Sequence, residues 1–524
     1  MSGARDTQLS SARERAALVV DPGSIEPWDT EVVSNDPLGF TDVRPYRERL
    51  AEAERRTGLR EAVLTGRATV AGRPVALVAA EFGFLGGSIG VATGERIARA
   101  FERAIEQRLA LVALPATGGS RMQEGTLALV QMAKLAVAAR TLRDAGLPYI
   151  VCLTHPTTGG VLASWGSLGT VTFALRDALI GFAGPRVVEL LTGAPLAADV
   201  QRAETLLARG LIDAVLDPSE ARAAVGRALD ATAPAPRRDG RTAPATFEPP
   251  TSGRAPSVPG RTARCDAWTS LAHARNPARP GADAVLDTLA SDRTELRGDR
   301  TGRPDDRGCY VALARIEGWR AVVIAQRRDG HGRPPALKPE GYGKARRAIA
   351  LAAELRLPLL TIVDTPGAEL SAEAERGGLA AEIAGCLADL GSVEVPTLAL
   401  LLGEGGSGGA LAFLLADRVI CAEHASLGVI APEGASAILH RDLDHAPELA
   451  ATQGGASWQL LDAGIVETIV AEPAPAHVDP TGFIDRVAAA LAAELSALLA
   501  RDRAERLAAR RARWRMLGTP PSAA

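Results

Sequence analysis

Glycine residues gather at two places where an apolar, strand-like run ends. In the second half of the chain, "VPTLALL" is followed by "LGEGGSGGAL" (402–411), which has four glycines in five residues. In the first half, "YIVCLTHPTTGGVLAS" (149–164) ends an apolar run with Gly159 and Gly160. A glycine pair at a strand-to-helix turn exposes backbone N–H groups that no side chain shields. Such groups can bind a phosphate or stabilise an oxyanion, and close helix–strand packing is the alternative explanation for a single pair.

The surroundings of both turns follow one plan that the chain uses twice. Each half has a pair of strands, a helix, a buried strand that ends in a glycine turn, another helix, and a second strand that ends in a glycine turn. The turns are separated by 40 residues in the first half (Gly119 to Gly159) and by 41 in the second (Gly367 to Gly408). Repeated strand–helix units predict parallel sheets covered by helices, in two α/β domains of like topology. Ligands of such sheets bind where the turns cluster, which favours a functional interpretation of the glycines.

The overall composition excludes several classes of protein. The net charge of −3 on 524 residues gives no reason to expect nucleic acid or an anionic membrane as a partner. The first residues lack the apolar core of a signal peptide, and no stretch approaches a membrane span. Five scattered cysteines have no spacing suited to zinc or to a disulfide framework. The sequence therefore predicts a cytoplasmic protein.

Longer motifs resemble the carboxyltransferase of bacterial acetyl-CoA carboxylase. Residues 36–219 are similar to its β subunit through "GFLGGSIGVATGERIARA", "GGSRMQEG", "PTTGG" and "ALIGFAGPRV". The region from residue 274 to the C-terminus is similar to its α subunit through "ARNPARPGA", "PEGYGKARR", "DTPGA" and "GEGGSGGALA". The resemblance implies a fused carboxyltransferase with two crotonase-like β-β-α domains.

This interpretation divides the chain into four parts. Residues 1–35 form an N-terminal segment, and 36–230 form a β-subunit-like domain on the acyl-CoA side. Residues 231–264 are rich in Pro, Gly, Thr and Arg and predict a flexible linker. Residues 265–524 form an α-subunit-like domain on the biotin side.

The resemblance also implies roles for individual residues. Gly159 and Gly160 would hold the thioester oxygen of acyl-CoA, and Gly409 and Ala410 the ureido oxygen of biotin. The remaining substrate-binding candidates are Gly118 and Gly119 on the acyl-CoA side, Gly405, Gly406 and Gly408 on the biotin side, and Arg121 and Lys344 for CoA phosphates. Solvated helix charges are the alternative interpretation of these two cations.

Carboxyl transfer from biotin to an acyl-CoA requires two carbonyl oxygens to carry negative charge. Aimed N–H donors stabilise such oxygens, and removal of one donor costs about 2.7–4 kcal/mol of barrier. The freed biotin nitrogen can take the α-proton, so no side-chain base is demanded. This fits the seven histidines, which form no pattern with a Ser or Cys nucleophile; His155, four residues before Gly159, is the one nearest a turn.

Partners follow from what the sequence lacks. None of the three lysines lies in a Met-Lys-Met biotin-attachment context, and no GxxxxGK[ST] loop is present. We therefore expect biotin on a separate carrier protein, carboxylated by a separate biotin carboxylase. A homodimer or a higher homo-oligomer is expected. A linker of this length averages about 30–35 Å end to end, which allows sites within one chain or between chains.

Two departures from the family concern the substrate sites. The stretch after "DTPGA", which is usually a Tyr-Pro-Gly loop, here reads "ELSAEAERGG" (369–378), and Thr170 stands where the family has an acidic residue. Four alternatives remain at this point: transfer to propionyl-CoA or a longer acyl-CoA, a crotonase-type hydratase or isomerase, a biotin-dependent decarboxylase, and a non-catalytic assembly subunit. Two whole glycine turns argue against the second and the fourth.

A third departure yields a prediction about metal content. The family's β subunit begins with a four-cysteine zinc ribbon, whereas residues 1–60 contain no cysteine. We expect no stoichiometric zinc. Elemental analysis of the purified protein that finds one zinc per chain would overturn this expectation.

Overall fold

The computed structural model describes residues 11–41, 44–232, 264–316 and 318–518. We call residues 11–232 the N half and residues 264–518 the C half. The predicted linker at 231–264 lies almost entirely outside the described residues.

The N half alternates strands and helices after an initial hairpin. Its strands are β1 (Glu26–Trp28), β2 (Val63–Val70), β3 (Arg73–Ala80), β4 (Ala110–Leu114), β5 (Tyr149–Leu153), β6 (Thr157–Thr158), β7 (Val171–Leu175), β8 (Ile180–Gly181) and β9 (Ala214–Leu216). Its helices are α1 (Ala12–Ala17), α2 (Tyr46–Thr57), α3 (Val91–Glu106), α4 (Gly125–Leu129), α5 (Gln131–Asp144), α6 (Pro185–Thr192), α7 (Ala203–Ala208) and α8 (Ala221–Thr232).

The C half repeats this order with longer helices at its end. Its strands are β10 (Ala290–Glu295), β11 (Cys309–Ile316), β12 (Trp319–Gln326), β13 (Leu359–Thr365), β14 (Thr397–Gly406), β15 (Arg418–Ala422), β16 (Ser426–Gly428) and β17 (Thr468–Val470). Its helices are α9 (Ala267–Ala274), α10 (Ala282–Leu289), α11 (Pro339–Leu355), α12 (Ala372–Arg376), α13 (Leu379–Ser392), α14 (Ser407–Leu411), α15 (Pro432–Leu439), α16 (Ala446–Thr452), α17 (Ser457–Asp462), α18 (Pro480–Leu499) and α19 (Arg503–Met516).

The α/β class is confirmed, but the sheets are mixed rather than parallel throughout. The N-half sheet has the order β1-β2-β3-β4-β5-β7-β9, and the C-half sheet has the order β10-β11-β12-β13-β14-β15-β17, with β16 beside β14. The first three strands of each sheet are antiparallel and the rest are parallel. In the N half, Ala71 and Gly72 both have positive φ (50° and 77°). Two such residues make the tight turn that reverses β2 into β3, whereas parallel neighbours need a helical crossover.

The N-half sheet begins before residue 36, the predicted start of the β-subunit-like domain. Strand β1 pairs antiparallel with β2, Glu26 facing Arg67. The segment after it is fixed to α3, since the buried Asp29 carboxylate accepts hydrogen bonds from Arg103 at 2.6 and 2.9 Å. Strand β1 could not be predicted, because three residues are too few to show an alternating pattern.

The two halves pack directly on one another through α5 and α13. Gly391 in α13 permits this approach, since a β-carbon there would lie 2.5 Å from a methyl group of Val137 in α5. Backbone contacts extend the interface: the Thr126 N–H donates to the Gln453 carbonyl at 2.9 Å, and its hydroxyl donates to the Leu427 carbonyl at 2.9 Å. Buried apolar residues of both halves therefore form one continuous core.

The last helix ties the end of the chain back to the N half. Arg515 in α19 makes two hydrogen bonds to the buried Glu95 carboxylate of α3, at 2.6 and 2.8 Å. Burial alone would raise the pKa of Glu95, but the bonds from Arg515 and the charge of Lys134 outweigh it and lower the pKa to about 2.

Across the described ranges, no helix has the length and apolar character needed to cross a membrane.

Glu95 gives a pH-dependent contribution to stability that can be tested. A carboxyl with a lowered folded-state pKa stabilises the fold above its unfolded pKa, and this contribution disappears as the pH falls toward 2. Glu95→Gln should therefore lower the free energy of unfolding by about 3 kcal/mol at pH 7, with a smaller difference below pH 4, in urea denaturation. The control is Glu102→Gln, because the half-exposed Glu102 also binds Arg515 and should contribute less than about 1 kcal/mol. Equal losses for the two variants would contradict this account.

Candidate active site at two glycine turns

The N-half turn is built where β4 and β5 end side by side. Thr117, after β4, pairs with the segment after β5: its N–H donates to the Pro156 carbonyl at 2.7 Å, and its carbonyl accepts from the Thr158 N–H at 2.9 Å. This pairing brings Gly119 against Gly159, where a β-carbon would lie 2.6 Å from the Gly119 Cα. Gly159 also has a φ of +72°, so glycine is required there by both space and conformation.

The backbone N–H groups of the N-half turn differ in whether they already have an acceptor within the protein. The N–H of Gly118 donates to the Gly86 carbonyl at 2.8 Å, and that of Gly119 to the Thr117 hydroxyl at 2.9 Å. Gly160 instead lies in the first turn of a 3₁₀ helix, Gly159–Val161. N–H groups in that position have no carbonyl one turn earlier to bind. The N–H of Gly160 is therefore the donor without a helical partner, while Gly118 and Gly119 provide the close approach.

The C half repeats the same local construction after β13 and β14. The Thr365 hydroxyl accepts from the Gly367 N–H at 3.1 Å, as Thr117 does from Gly119. Both glycines have unusual φ values, +132° and +120°. A β-carbon at Gly409 would lie 2.7 Å from the Ala368 nitrogen. The segments 366–368 and 406–409 are thus in backbone contact.

The helix after this turn, α14, begins at Ser407. The first-turn N–H groups of Gly408 and Gly409 have no helical carbonyl to bind. Ala410 is the fourth residue, whose N–H pairs with the carbonyl four residues earlier. The geometry thus favours Gly409 over Ala410 as a donor, and Gly405 and Gly406 form the strand end that leads to it.

One side chain, Met132 at the start of α5, lies between the two turns. A β-carbon at Gly160 would be 2.8 Å from its sulfur, and a β-carbon at Gly408 would be 2.7 Å from its methyl carbon. Met132 is 3% exposed. The turns of the two halves are therefore separated by the width of one thioether, within one chain.

A buried polar network holds the N-half turn in place through Arg121. This side chain is fully buried, and it donates to the Glu61 carboxylate at 2.7 Å and to the Ser88 carbonyl at 2.7 Å. Burial would raise the pKa of Glu61, but the charge of Arg121 outweighs it and leaves this pKa below its usual range. Glu124 joins the network as the acceptor for the Tyr46 hydroxyl at 2.5 Å.

Two arginines of "ARNPARPGA" hold the C-half turn in a corresponding way. Arg279 donates to the Leu402 carbonyl at 3.0 Å and to the Glu472 carboxylate at 2.7 Å. Arg275 bridges the carboxylates of Glu404 and Glu433, at 2.6 and 2.5 Å. The two arginines of this motif thus bind residues of β14 and hold the end of that strand. The sequence of the motif alone did not reveal this role.

The positions of Arg121 and Lys344 do not support their interpretation as CoA phosphate ligands. Arg121 is fully buried in its network, and Lys344 is 1% exposed with its ammonium 2.8 Å from Asp305. Both charges are neutralised by carboxylates inside the protein, so neither reaches a ligand phosphate. Sequence reasoning could not detect the partners, because Glu61 and Asp305 lie 60 and 39 residues away in the chain.

His155 also has a supporting role in this structure. Its Nδ1 accepts the Leu179 N–H at 3.1 Å, which requires the neutral ring nitrogen. Burial lowers the pKa of His155, in agreement with a neutral imidazole. Within the described ranges, no group of three or more His, Cys, Asp and Glu side chains could hold a metal ion.

The unusual stretch 369–378 contacts the N half. Glu375 in α12 accepts the Phe182 N–H at 2.8 Å and the Gln201 amide at 2.6 Å. Burial raises the pKa of Glu375. The stretch that departs from the family motif therefore binds the N-half segment "ALIGFAGP" through Glu375.

Comparisons with known proteins identify the family of this chain. Residues 11–257 match the family described as the carboxyl transferase domain, and residues 261–518 match the acetyl co-enzyme A carboxylase carboxyltransferase-like family. A protein of Mycobacterium tuberculosis named probable biotin-dependent acyl-coenzyme A carboxylase beta3 subunit is 48% identical over 96% of this chain and 97% of its own length. The chain belongs to the biotin-dependent acyl-CoA carboxyltransferases.

Two further known proteins are similar to this carboxyltransferase. The acetyl-coenzyme A carboxylase carboxyl transferase subunits beta/alpha of Salinispora arenicola are 42% identical over 97% of this chain and 90% of their own length. The solved structure of transcarboxylase 12S with methylmalonyl-coenzyme A covers 93% of this chain and 90% of its own, at 22% identity and a TM-score of 0.36. The family matches and the relatives from M. tuberculosis and S. arenicola show that this carboxyltransferase is an enzyme that transfers carboxyl groups to acyl-CoA, and its family implies biotin on a separate carrier.

The contacts around the N-half turn predict different tolerances at adjacent glycines. Gly159→Ala forces a β-carbon onto the Gly119 backbone at positive φ, so it should destabilise the carboxyltransferase by about 2 kcal/mol or more. Gly160→Ala meets only the ends of the Met132 and Ser120 side chains, at 2.8 and 2.9 Å. These ends can move, so its cost should stay below about 1.5 kcal/mol. Thermal unfolding measures both, and equal losses would show that the turns do not approach as described.

Proposed function

We propose that this enzyme transfers a carboxyl group from biotin on a carrier protein to acetyl-CoA and forms malonyl-CoA for fatty acid synthesis. Each half would be one crotonase-like domain, the N half binding acyl-CoA and the C half binding biotin. The observation that carries the proposal is the approach of the two glycine turns to one side chain, Met132. Two oxygens that become negative during the same transfer need donors a short distance apart, in a space from which water is excluded.

The residues of this chain would act by binding and orientation. The Gly160 N–H stabilises the thioester oxygen as the α-carbon loses its proton. The Gly409 N–H, opposite the Ala368 nitrogen, stabilises the ureido oxygen. Biotin supplies the carboxyl group and a nitrogen that takes up the α-proton, so the histidines need no role in proton transfer.

Met132 would separate the two turns in the resting enzyme. A thioether has three flexible bonds and adapts to a changing space. It can leave the gap when both substrates are bound, and it fills the gap otherwise. This behaviour would protect the carboxyl group from loss to water.

The assembly would follow from this division of labour. We propose a biotin carboxyl carrier protein and a biotin carboxylase as partners, a homodimer or higher oligomer in the cytoplasm, and no zinc. The M. tuberculosis relative, which is named as an acyl-CoA carboxylase subunit, supports transfer to propionyl-CoA or a longer acyl-CoA as the second candidate.

The acyl-chain preference is tested by reconstitution. The enzyme is mixed with a biotin carboxylase, its carrier protein, ATP and ¹⁴C-bicarbonate, and with acetyl-, propionyl- or longer acyl-CoA in separate reactions. We expect the highest kcat/KM with acetyl-CoA. A kcat/KM more than tenfold higher for propionyl-CoA or a longer acyl-CoA would establish the second candidate instead.

Two proline variants test the assigned donors. Gly160→Pro and Gly409→Pro each remove one N–H, so each should lower kcat by a hundredfold or more. Gly409→Pro should still bind malonyl-CoA within about twofold of the wild type, since it alters only the biotin side; calorimetry measures this affinity. Circular dichroism checks that both variants fold, because proline also perturbs the backbone. A folded variant with full activity would reject the role of that turn.

A further inference from the structure

An unusual hydroxyl group lies beneath the C-half turn. Tyr342, near the start of α11, is fully buried, and among the described residues its hydroxyl has no hydrogen-bond partner. Buried polar groups in proteins are nearly always bonded, since an unsatisfied one destabilises the fold. This hydroxyl therefore requires an explanation.

The hydroxyl lies where the two segments of the turn meet. A β-carbon at Gly409 would be 2.7 Å from the Tyr342 oxygen and 2.7 Å from the Ala368 nitrogen. The ring is stacked on Phe413, with centroids 5.5 Å apart, so the hydroxyl is held at this junction. Burial also raises the pKa of Tyr342 well above its usual value, which keeps the group protonated and able to donate.

Two other buried tyrosines of this chain have hydrogen-bond acceptors for their hydroxyls. Tyr149, also fully buried, donates to the Trp165 carbonyl at 2.9 Å in the N half. Tyr46 donates to the Glu124 carboxylate at 2.5 Å. Only the tyrosine at the C-half turn is left without an acceptor among these three.

We propose that Tyr342 is a positioning residue of the C-half turn, whose hydroxyl gains a hydrogen bond to the backbone of the turn only when a ligand oxygen is bound on the other side of it. It acts through Ala368 and Gly409: the hydroxyl lies beside both residues and determines the distance between them. This inference rests on the proposed function, in which that oxygen belongs to biotin. The unbonded hydroxyl destabilises the free chain and is relieved in the loaded one. Removing it should therefore have opposite effects on stability and on turnover.

The test compares Tyr342→Phe with the matched control Tyr149→Phe. Each variant removes one buried hydroxyl and nothing else. The readouts are the thermal midpoint of the free enzyme and the kinetics of carboxyl transfer from malonyl-CoA to biocytin, a soluble biotin derivative.

The two variants should differ in both readouts. Tyr342→Phe should unfold at the wild-type temperature or above it, with kcat reduced about tenfold, the effect of one hydrogen bond, and with the KM for malonyl-CoA unchanged. Tyr149→Phe should unfold about 1–3 °C lower, because it loses a bond that the free chain has, with kcat within twofold of the wild type.

Three outcomes would overturn the inference. A thermal midpoint of Tyr342→Phe lowered as far as that of Tyr149→Phe would show that the hydroxyl is already bonded in the free chain. An unchanged kcat would show that it has no part in the loaded turn. A wild-type enzyme with no biocytin-dependent transfer would reject the proposed function itself, which separates that failure from the other two.

Discussion

The site depends on backbone segments that approach one another more closely than any side chain would allow. Gly159 lies against Gly119, and Gly409 lies against Ala368. A β-carbon at any of these contacts would separate the strand ends, and the N–H groups would no longer converge. This constraint explains two buried arginines. Arg121 is fully buried beside the N-half turn, and Arg279 donates to the Leu402 carbonyl beside the C-half turn; each holds a strand end in the position that the close contact requires.

The two halves use the same solution with different supports. In both, a threonine hydroxyl accepts the N–H of a glycine two residues later, at Thr117 and at Thr365. The N half stabilises its turn with one buried arginine network, and the C half with two arginines, Arg275 and Arg279, from the segment that follows α9. Because the halves share one core and meet at Met132, a change at their interface alters the distance between the turns. The hydrogen bond from the Phe182 N–H of the N half to Glu375 of the C half belongs to the same interface.

The sequence was sufficient to predict those features that repeat or follow a period. The duplicated strand–helix plan and the glycine pairs at 159–160 and 405–409 indicated the α/β class and the location of the turns. The pair of strands in each half was predicted, but its antiparallel place in the sheet was not, and the three-residue β1 is too short to show a pattern. The roles of Arg121 and Lys344 were misassigned for a different reason: a cation in a motif has the same sequence whether its carboxylate partner is inside the protein or on a ligand. Met132 and Tyr342 could not be found at all, since an apolar or aromatic residue on a helix normally indicates only packing.

The central claim is that this chain alone contains both oxygen-binding turns of the carboxyl transfer. The most direct measurement uses the purified protein with malonyl-CoA labelled in its free carboxyl group and with biocytin, in the absence of ATP and of any other protein. The account predicts that acetyl-CoA forms only when biocytin is present, and that the label passes to biocytin. Malonyl-CoA that remains unchanged, or that loses its label equally fast without biocytin, would contradict it.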